Sequence, residues 1–263
     1  MNNLAPPEAT ASTDYLLHLA DNALVLGQRN AEWCGNGPVL EEDIALANMS
    51  LDLVGQARLL YQHAAALTGH GATEDSLAYF RDAGDFRNFT LLELPHASPS
   101  AERDYAVTIT RNFLYSALML LVWDALQDSK DPQLAAIAAK SLKEVRYHFR
   151  HSRDWLLRLG DGTAESHART QSALDQLMPY TREFWEASEV GRNAVSRGLA
   201  TDPATLRAHW DGLLDAALLE AGLQRPAAGG APPPGKNGRH SEHLAPLLAD
   251  MQVLARAHPA AQW

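Results

Sequence analysis

Apolar positions along this chain recur at helical spacing, and no segment alternates as a half-buried strand would. Thr13 or Asp14 can cap a first helix running to about residue 31, with Leu16, Leu17, Leu19, Leu24, Val25 and Leu26 as its apolar positions. Gly35-Asn36-Gly37-Pro38 breaks it. A second helix opens on Glu41-Glu42-Asp43, acids that suit the positive end of a helix dipole, and runs to about residue 67. Residues 70–103 read as loop, with a short helical piece near 76–79. A third helix over about 104–127 is apolar all round, the pattern of a buried helix. Asp131-Pro132 and Asp202-Pro203 each offer a cap followed by proline in the first turn. They predict a fourth helix to about 159 and a sixth to about 219, with a fifth over about 165–187. Residues 225–240 are rich in Pro and Gly and read as a flexible loop, after which Ser241 caps a last helix. The predicted fold class is all-α. Two long hairpins form a four-helix bundle core, and additional helices follow toward the C-terminus. Residues 1–12 are expected to be a flexible N-terminus and 13–263 one helical domain.

Composition narrows the picture. With 46% hydrophobic residues in 263, the chain can bury a sizeable core. The formal net charge of -10 comes without a basic stripe, which argues against nucleic-acid binding. Cys34 is the single cysteine, so no intrachain disulfide is possible and a reducing, cytoplasmic setting is expected. Near a helix end, it is expected to be a packed thiol. The opening twelve residues lack a basic start and an apolar run, so no signal peptide is expected. No uninterrupted apolar run reaches the ~18 residues of a membrane span.

Helical bundles of this size can house a di-iron centre, built from one carboxylate on each of two helices and Glu-x-x-His on each of the other two. The i, i+3 spacing puts both ligands on one helix face. Residues equidistant from a hairpin turn should lie level, which groups Asn22 with Asp52 and Tyr115 with Glu144 in one layer. The i+3 partners are Gly55 and Tyr147, so only Asp52 and Glu144 keep ligand chemistry. Lys140 lies one turn before Glu144. It either points inward to pair with Glu144 or Asp52, where a metal would sit, or pairs along the helix surface. Arg58 follows Asp52 on the second helix. His148 and His151 leave open a different carboxylate and histidine metal site with Asp52 and Glu144.

The stretches GQRNAEWCGNGPVLEEDIALANMSLDLVGQARLLY, SKDPQLAAIAAKSLKEVRYHFRHSRDWLLRLGDGT and SEHLAPLLADMQ, with the terminal Gln262-Trp263, resemble the C subunits of bacterial phenylacetyl-CoA 1,2-epoxidases. The resemblance covers residues from about 15 to 263. It implies a ferritin-like fold and a multicomponent monooxygenase that uses NADPH and dioxygen to epoxidise the ring of phenylacetyl-CoA. It further implies a catalytic A subunit that bears the di-iron site, a small B subunit, and a reductase with flavin and iron–sulfur groups. The C subunit is then a paralogue of the A subunit without catalytic residues or a cofactor of its own, and Asp52 and Glu144 are remnants. Tryptophans 123, 155, 185, 210 and 263 suit either the chain's own core or a subunit interface. A separate possibility is a CoA-binding helical module in which Lys236, Arg239 and His240 of the flexible loop meet phosphates.

Overall fold

The computed structural model describes residues 7–99, 101–227, 235–259 and 261, with side chains from residue 13 onward. Among these, regular structure is helical, apart from one isolated bridge between Ser98 and Ala101. In chain order the α-helices are α1 (Pro7–Ala31), α2 (Leu40–Thr68), α3 (Glu74–Tyr79), α4 (Tyr105–Leu126), α5 (Pro132–Gly160), α6 (Ala164–Leu177), α7 (Arg182–Trp185), α8 (Glu189–Ser196), α9 (Pro203–Glu220) and α10 (Leu244–Ala257). The chain divides into two compact units. Of the described residues, the first holds those within 7–94, 188–199 and 235–261, and the second those within 95–187 and 200–227.

In the first unit α1 and α2 form an antiparallel hairpin. Gly27 lies against α2: a Cβ there would sit 3.3 Å from Leu53 Cβ and 3.4 Å from the Ser50 carbonyl. Leu19, Ala23 and Leu26 of α1 and Leu46, Met49, Leu53 and Leu60 of α2 are all buried. The first helix begins at Pro7, inside the segment expected to be flexible. Proline suits a first helical turn because its missing N–H would have no partner there. The expected loop from residue 70 contains α3, whose cap is reciprocal: Thr73 Oγ1 accepts from Ser76 N (3.1 Å), and Ser76 Oγ accepts from Thr73 N (2.9 Å). Cys34 is exposed rather than packed. It stands in the turn after α1, next to Gly35 with φ +76°.

In the second unit α4 pairs with α5, and α6 and α9 pack beside them. Asp131 Oδ1 accepts from the N–H groups of Gln133 and Leu134 (3.0 Å each), and Asp202 Oδ1 accepts from Ala204 N (3.0 Å), as the cap-plus-proline pattern predicts. Trp123 and Trp210 are fully buried, while Trp155 and Trp185 are half-buried; Trp263 lies outside the described residues. By length and composition α4 could cross a membrane, but 83% of its apolar window is buried within the fold, as in a core helix. The expected fifth helix is broken. Pro179 lies in a 3₁₀ turn, Met178–Thr181, between α6 and the single-turn α7. In the first unit, α8 forms where no helix was expected. It is capped by Ser188, whose Oγ accepts from Gly191 N (3.0 Å), and it buries Ala194.

Candidate functional site

The predicted ligand layer does not hold its register. In the first unit Asp21 Oδ1 accepts from Tyr61 OH (2.5 Å), and Gly27 lies against Ser50 to Val54. Asp52 is therefore level with Gly27 on α1, about 7.5 Å of helix rise from Asn22. The cause is the uneven connection from residue 32 to 39, which shifts the pairing away from a turn centred on Gly37. Asn22 is fully buried. Its Oδ1 accepts from Phe89 N (2.7 Å), and its amide lies 3.4 Å from His18 Nε2. The asparagine holds a backbone segment from later in the chain. A Cβ on Gly55 would meet nothing within 4 Å, so this position borders open space rather than a packed ligand seat.

In the second unit Phe113 stacks on Phe149 (5.7 Å) and Ser116 meets Ser152 (3.3 Å). This part of α4 thus faces residues a turn or more past Glu144. Tyr115 is buried, and burial raises its phenol well above the usual range, so the group stays protonated. Tyr147 is exposed. His148 is buried, and its backbone carbonyl accepts from Ser152 Oγ (2.7 Å). Lys140 Nζ lies 3.5 Å from Glu144 Oε1, but the lysine side chain is 58% exposed. Lys140 pairs along its own helix; it is not an inward charge standing in for a metal. Arg58 likewise points outward, its Nε donating to Glu74 Oε1 (3.3 Å).

Four of the six positions named from the sequence hold an engaged amide (Asn22), a glycine (Gly55), a buried phenol (Tyr115) and an exposed tyrosine (Tyr147) in place of the carboxylates and imidazoles of a di-iron centre. Among the described residues no three His, Cys, Asp or Glu side chains come close enough to hold a metal, which includes Asp52, Glu144, His148 and His151.

The polar centres that the first unit does build were missed by sequence reasoning. Asp21, fully buried, accepts from Tyr61 OH, from both terminal nitrogens of Arg81, and from Arg87 N (2.8 Å). Burial and the adjacent Asp21 charge push the Tyr61 phenol well up. Burial opposes the Arg81 charge, but Asp21 and Tyr61 outweigh it and the guanidinium is held protonated more firmly than usual. The guanidinium also lies over the Phe86 ring at 4.4 Å. Next to this centre, His18 Nδ1 donates to the Arg87 carbonyl (2.6 Å). Burial lowers the His18 pKa to about 4, and the nearby Lys236 charge adds to the effect.

The second centre is Glu93, also fully buried. Its Oε1 accepts from Asn88 Nδ2 (3.0 Å) and His240 Nδ1 (2.5 Å), and its Oε2 accepts from Ser241 N (2.8 Å) and Ser241 Oγ (2.7 Å). The Glu93 backbone carbonyl accepts from Arg29 Nε (3.0 Å) and Nη2 (2.5 Å). Ser241 Oγ both donates to Glu93 and accepts from His243 N (3.3 Å), in the turn before the last helix, which itself starts at Leu244 without a side-chain cap at His243. The described end of the expected loop is pinned as well. Gly235 N donates to Thr90 Oγ1 (3.0 Å), and Lys236 is buried with its Nζ 5.8 Å from the Phe89 ring centroid. Residues 228–234 of that loop lie outside the described residues. Of the three side chains considered for CoA phosphates, only Arg239 is exposed. Both carboxylates carry a visible sequence signal: Asp21-Asn22 interrupts the run LLHLADNALVL, and Glu93 sits between Leu92 and Leu94.

Saturated as they are by the chain's own donors, these carboxylates can fix a loop to a helix hairpin. Comparison with known proteins gives the same chain two relations. Residues 2–263 match the family described as "Phenylacetic acid catabolic protein". The C subunit of the 1,2-phenylacetyl-CoA epoxidase of Escherichia coli (strain K12) is 46% identical over 251 residues, which cover 95% of this chain and 98% of that protein.

Proposed function

Since the chain belongs to the phenylacetic acid catabolic protein family, a ferritin-like family consistent with its all-α fold, we propose that it is the non-catalytic structural subunit of a phenylacetyl-CoA epoxidase. On this reading it pairs with a catalytic A subunit that bears the di-iron site. A B subunit and a reductase with flavin and iron–sulfur groups complete a cytoplasmic complex that spends NADPH and dioxygen on the aromatic ring. The observation that carries the reading is the fate of Asn22. Asn22, the α1 residue that hairpin counting groups with Asp52, has its side-chain oxygen bound to Phe89 N at 2.7 Å and serves the fold. Gly55 offers no donor atom, and Tyr115 is a buried phenol where a di-iron centre asks for a carboxylate, which supports the same reading.

The chemistry left to the chain is to bind, position and shield a partner. Coexpression with the A subunit from the same source tests it. Copurification at equal stoichiometry is expected, with epoxidase activity only when both chains and the reductase are present. A chain that stays alone beside a folded A subunit would end the reading.

A further inference from the structure

Among the described residues ten large apolar side chains are exposed, and eight of them belong to the first unit. Four lie along one side of α2: Leu40 (72% exposed), Ile44 (52%), Leu51 (70%) and Val54 (40%). Their spacings of four, seven and three residues keep them on one stripe over about 21 Å of helix. Val39 (51%) extends the stripe at its start. A soluble chain seldom leaves such a row to water, because each side chain forgoes its burial. Gly55 adjoins the stripe, with open space where its Cβ would be, so a second backbone can approach closely there.

The stripe continues into a groove. A cavity of about 280 Å³ is lined by Val54 and Arg58 of α2 and by Asp75 and Tyr79 of α3. Asp75 and Tyr79 also line a neighbouring cavity of about 520 Å³ that reaches Phe80 and Leu254 of α10. Charges around the face are mostly acidic: Glu41, Asp43, Asp52 and Asp75 against Arg58, which is paired with Glu74. A second copy would bring the same acids against these and be repelled.

We propose that the outer face of α2 is the docking surface for the catalytic subunit, which meets it with an apolar helix face rimmed by Lys and Arg. This rests on the reading of the chain as an epoxidase subunit. Apolar residues would then form the centre of the contact, and the acids its rim.

The test is capture of tagged A subunit by the full chain and by three variants, each first checked for native helicity and thermal unfolding. Leu51→Glu and Ile44→Asp put a charge into the centre and should weaken capture by roughly thirtyfold or more. Leu51→Ala, which any helix tolerates, should weaken it by a smaller factor and serves if a charged variant fails to fold. Leu219→Glu, on α9 at 84% exposure, should leave capture unchanged. If the unaltered chain captures the A subunit and the α2 variants, folded, do so equally well, the docking assignment is overturned while the subunit reading stands. If the unaltered chain captures nothing, it is the subunit reading that fails. If the chain alone forms a dimer that Leu51→Glu dissociates, α2 serves a second copy and the assignment is likewise overturned.

Discussion

Asp21 has no exposure, and its two oxygens are held by a phenol, a guanidinium and a backbone amide. A buried ion pair adds little over a well-packed apolar pair, but removing one member strands the other. Asp21→Ala leaves Arg81 buried against Phe86 and Tyr61, and should cost about 3–5 kcal/mol by urea unfolding. His18 makes a second prediction. Its folded pKa of about 4 lies below the usual 6.5, so between these values the unfolded chain takes up a proton that the fold refuses. Stability is therefore fully present above about pH 6.5 and falls as pH drops toward 4. Allowing for the ring's residual exposure, the loss is on the order of 2 kcal/mol. Unfolding midpoints taken across that window should fall less steeply for His18→Phe. Lys140→Met, by contrast, removes an exposed i, i+4 pair and should shift stability by less than about 0.5 kcal/mol.

At this scale the sequence was partly legible. A polar pair inside LLHLADNALVL announces buried polar groups. It does not announce that the donors come from Arg81 and Arg87, some sixty residues on. Glu93 carried the same flag between leucines, and its partners His240 and Ser241 lie even further along the chain.

At the scale of elements, the local signals held where they were chemically strong. Asp-Pro pairs cap α5 and α9, and the apolar run from 105 onward is a buried helix. Register was not legible. Equal counting from Gly37 assumes a symmetric turn, whereas residues 32 to 39 fold as an irregular connection that offsets α2 against α1. Nor could composition reveal that the end of a Pro/Gly-rich segment is anchored. The anchor depends on Gly235, where a Cβ would sit 2.5 Å from the Asn88 carbonyl. Helix ends meet as tightly in the second unit. A Cβ on Gly160, closing α5, would sit 2.6 Å from the Ala221 carbonyl just past α9. Gly160→Ala gains helix propensity yet should destabilise the chain by about 1–3 kcal/mol, because backbone must move to admit the methyl. Thermal unfolding of this variant beside Gly55→Ala, which meets nothing, separates the two terms: Gly55→Ala should stabilise slightly.

For the whole molecule, the proposed reading is that the chain keeps the helices of its family and holds no di-metal site of its own. Asn22 serves a loop, Gly55 borders open space, and Glu144 answers Lys140 on the helix surface. On the proposed reading the chain serves its complex as shape and surface, and four of the ten exposed large apolar side chains among the described residues lie on α2. The most direct measurement is iron content per subunit. The chain should be copurified with its A subunit, the two separated without denaturing chelators, and each analysed for iron and manganese. The account predicts metal with the A subunit and well under one ion per chain in this one. Two iron ions per chain retained here, with spectra of a bridged pair, would contradict it.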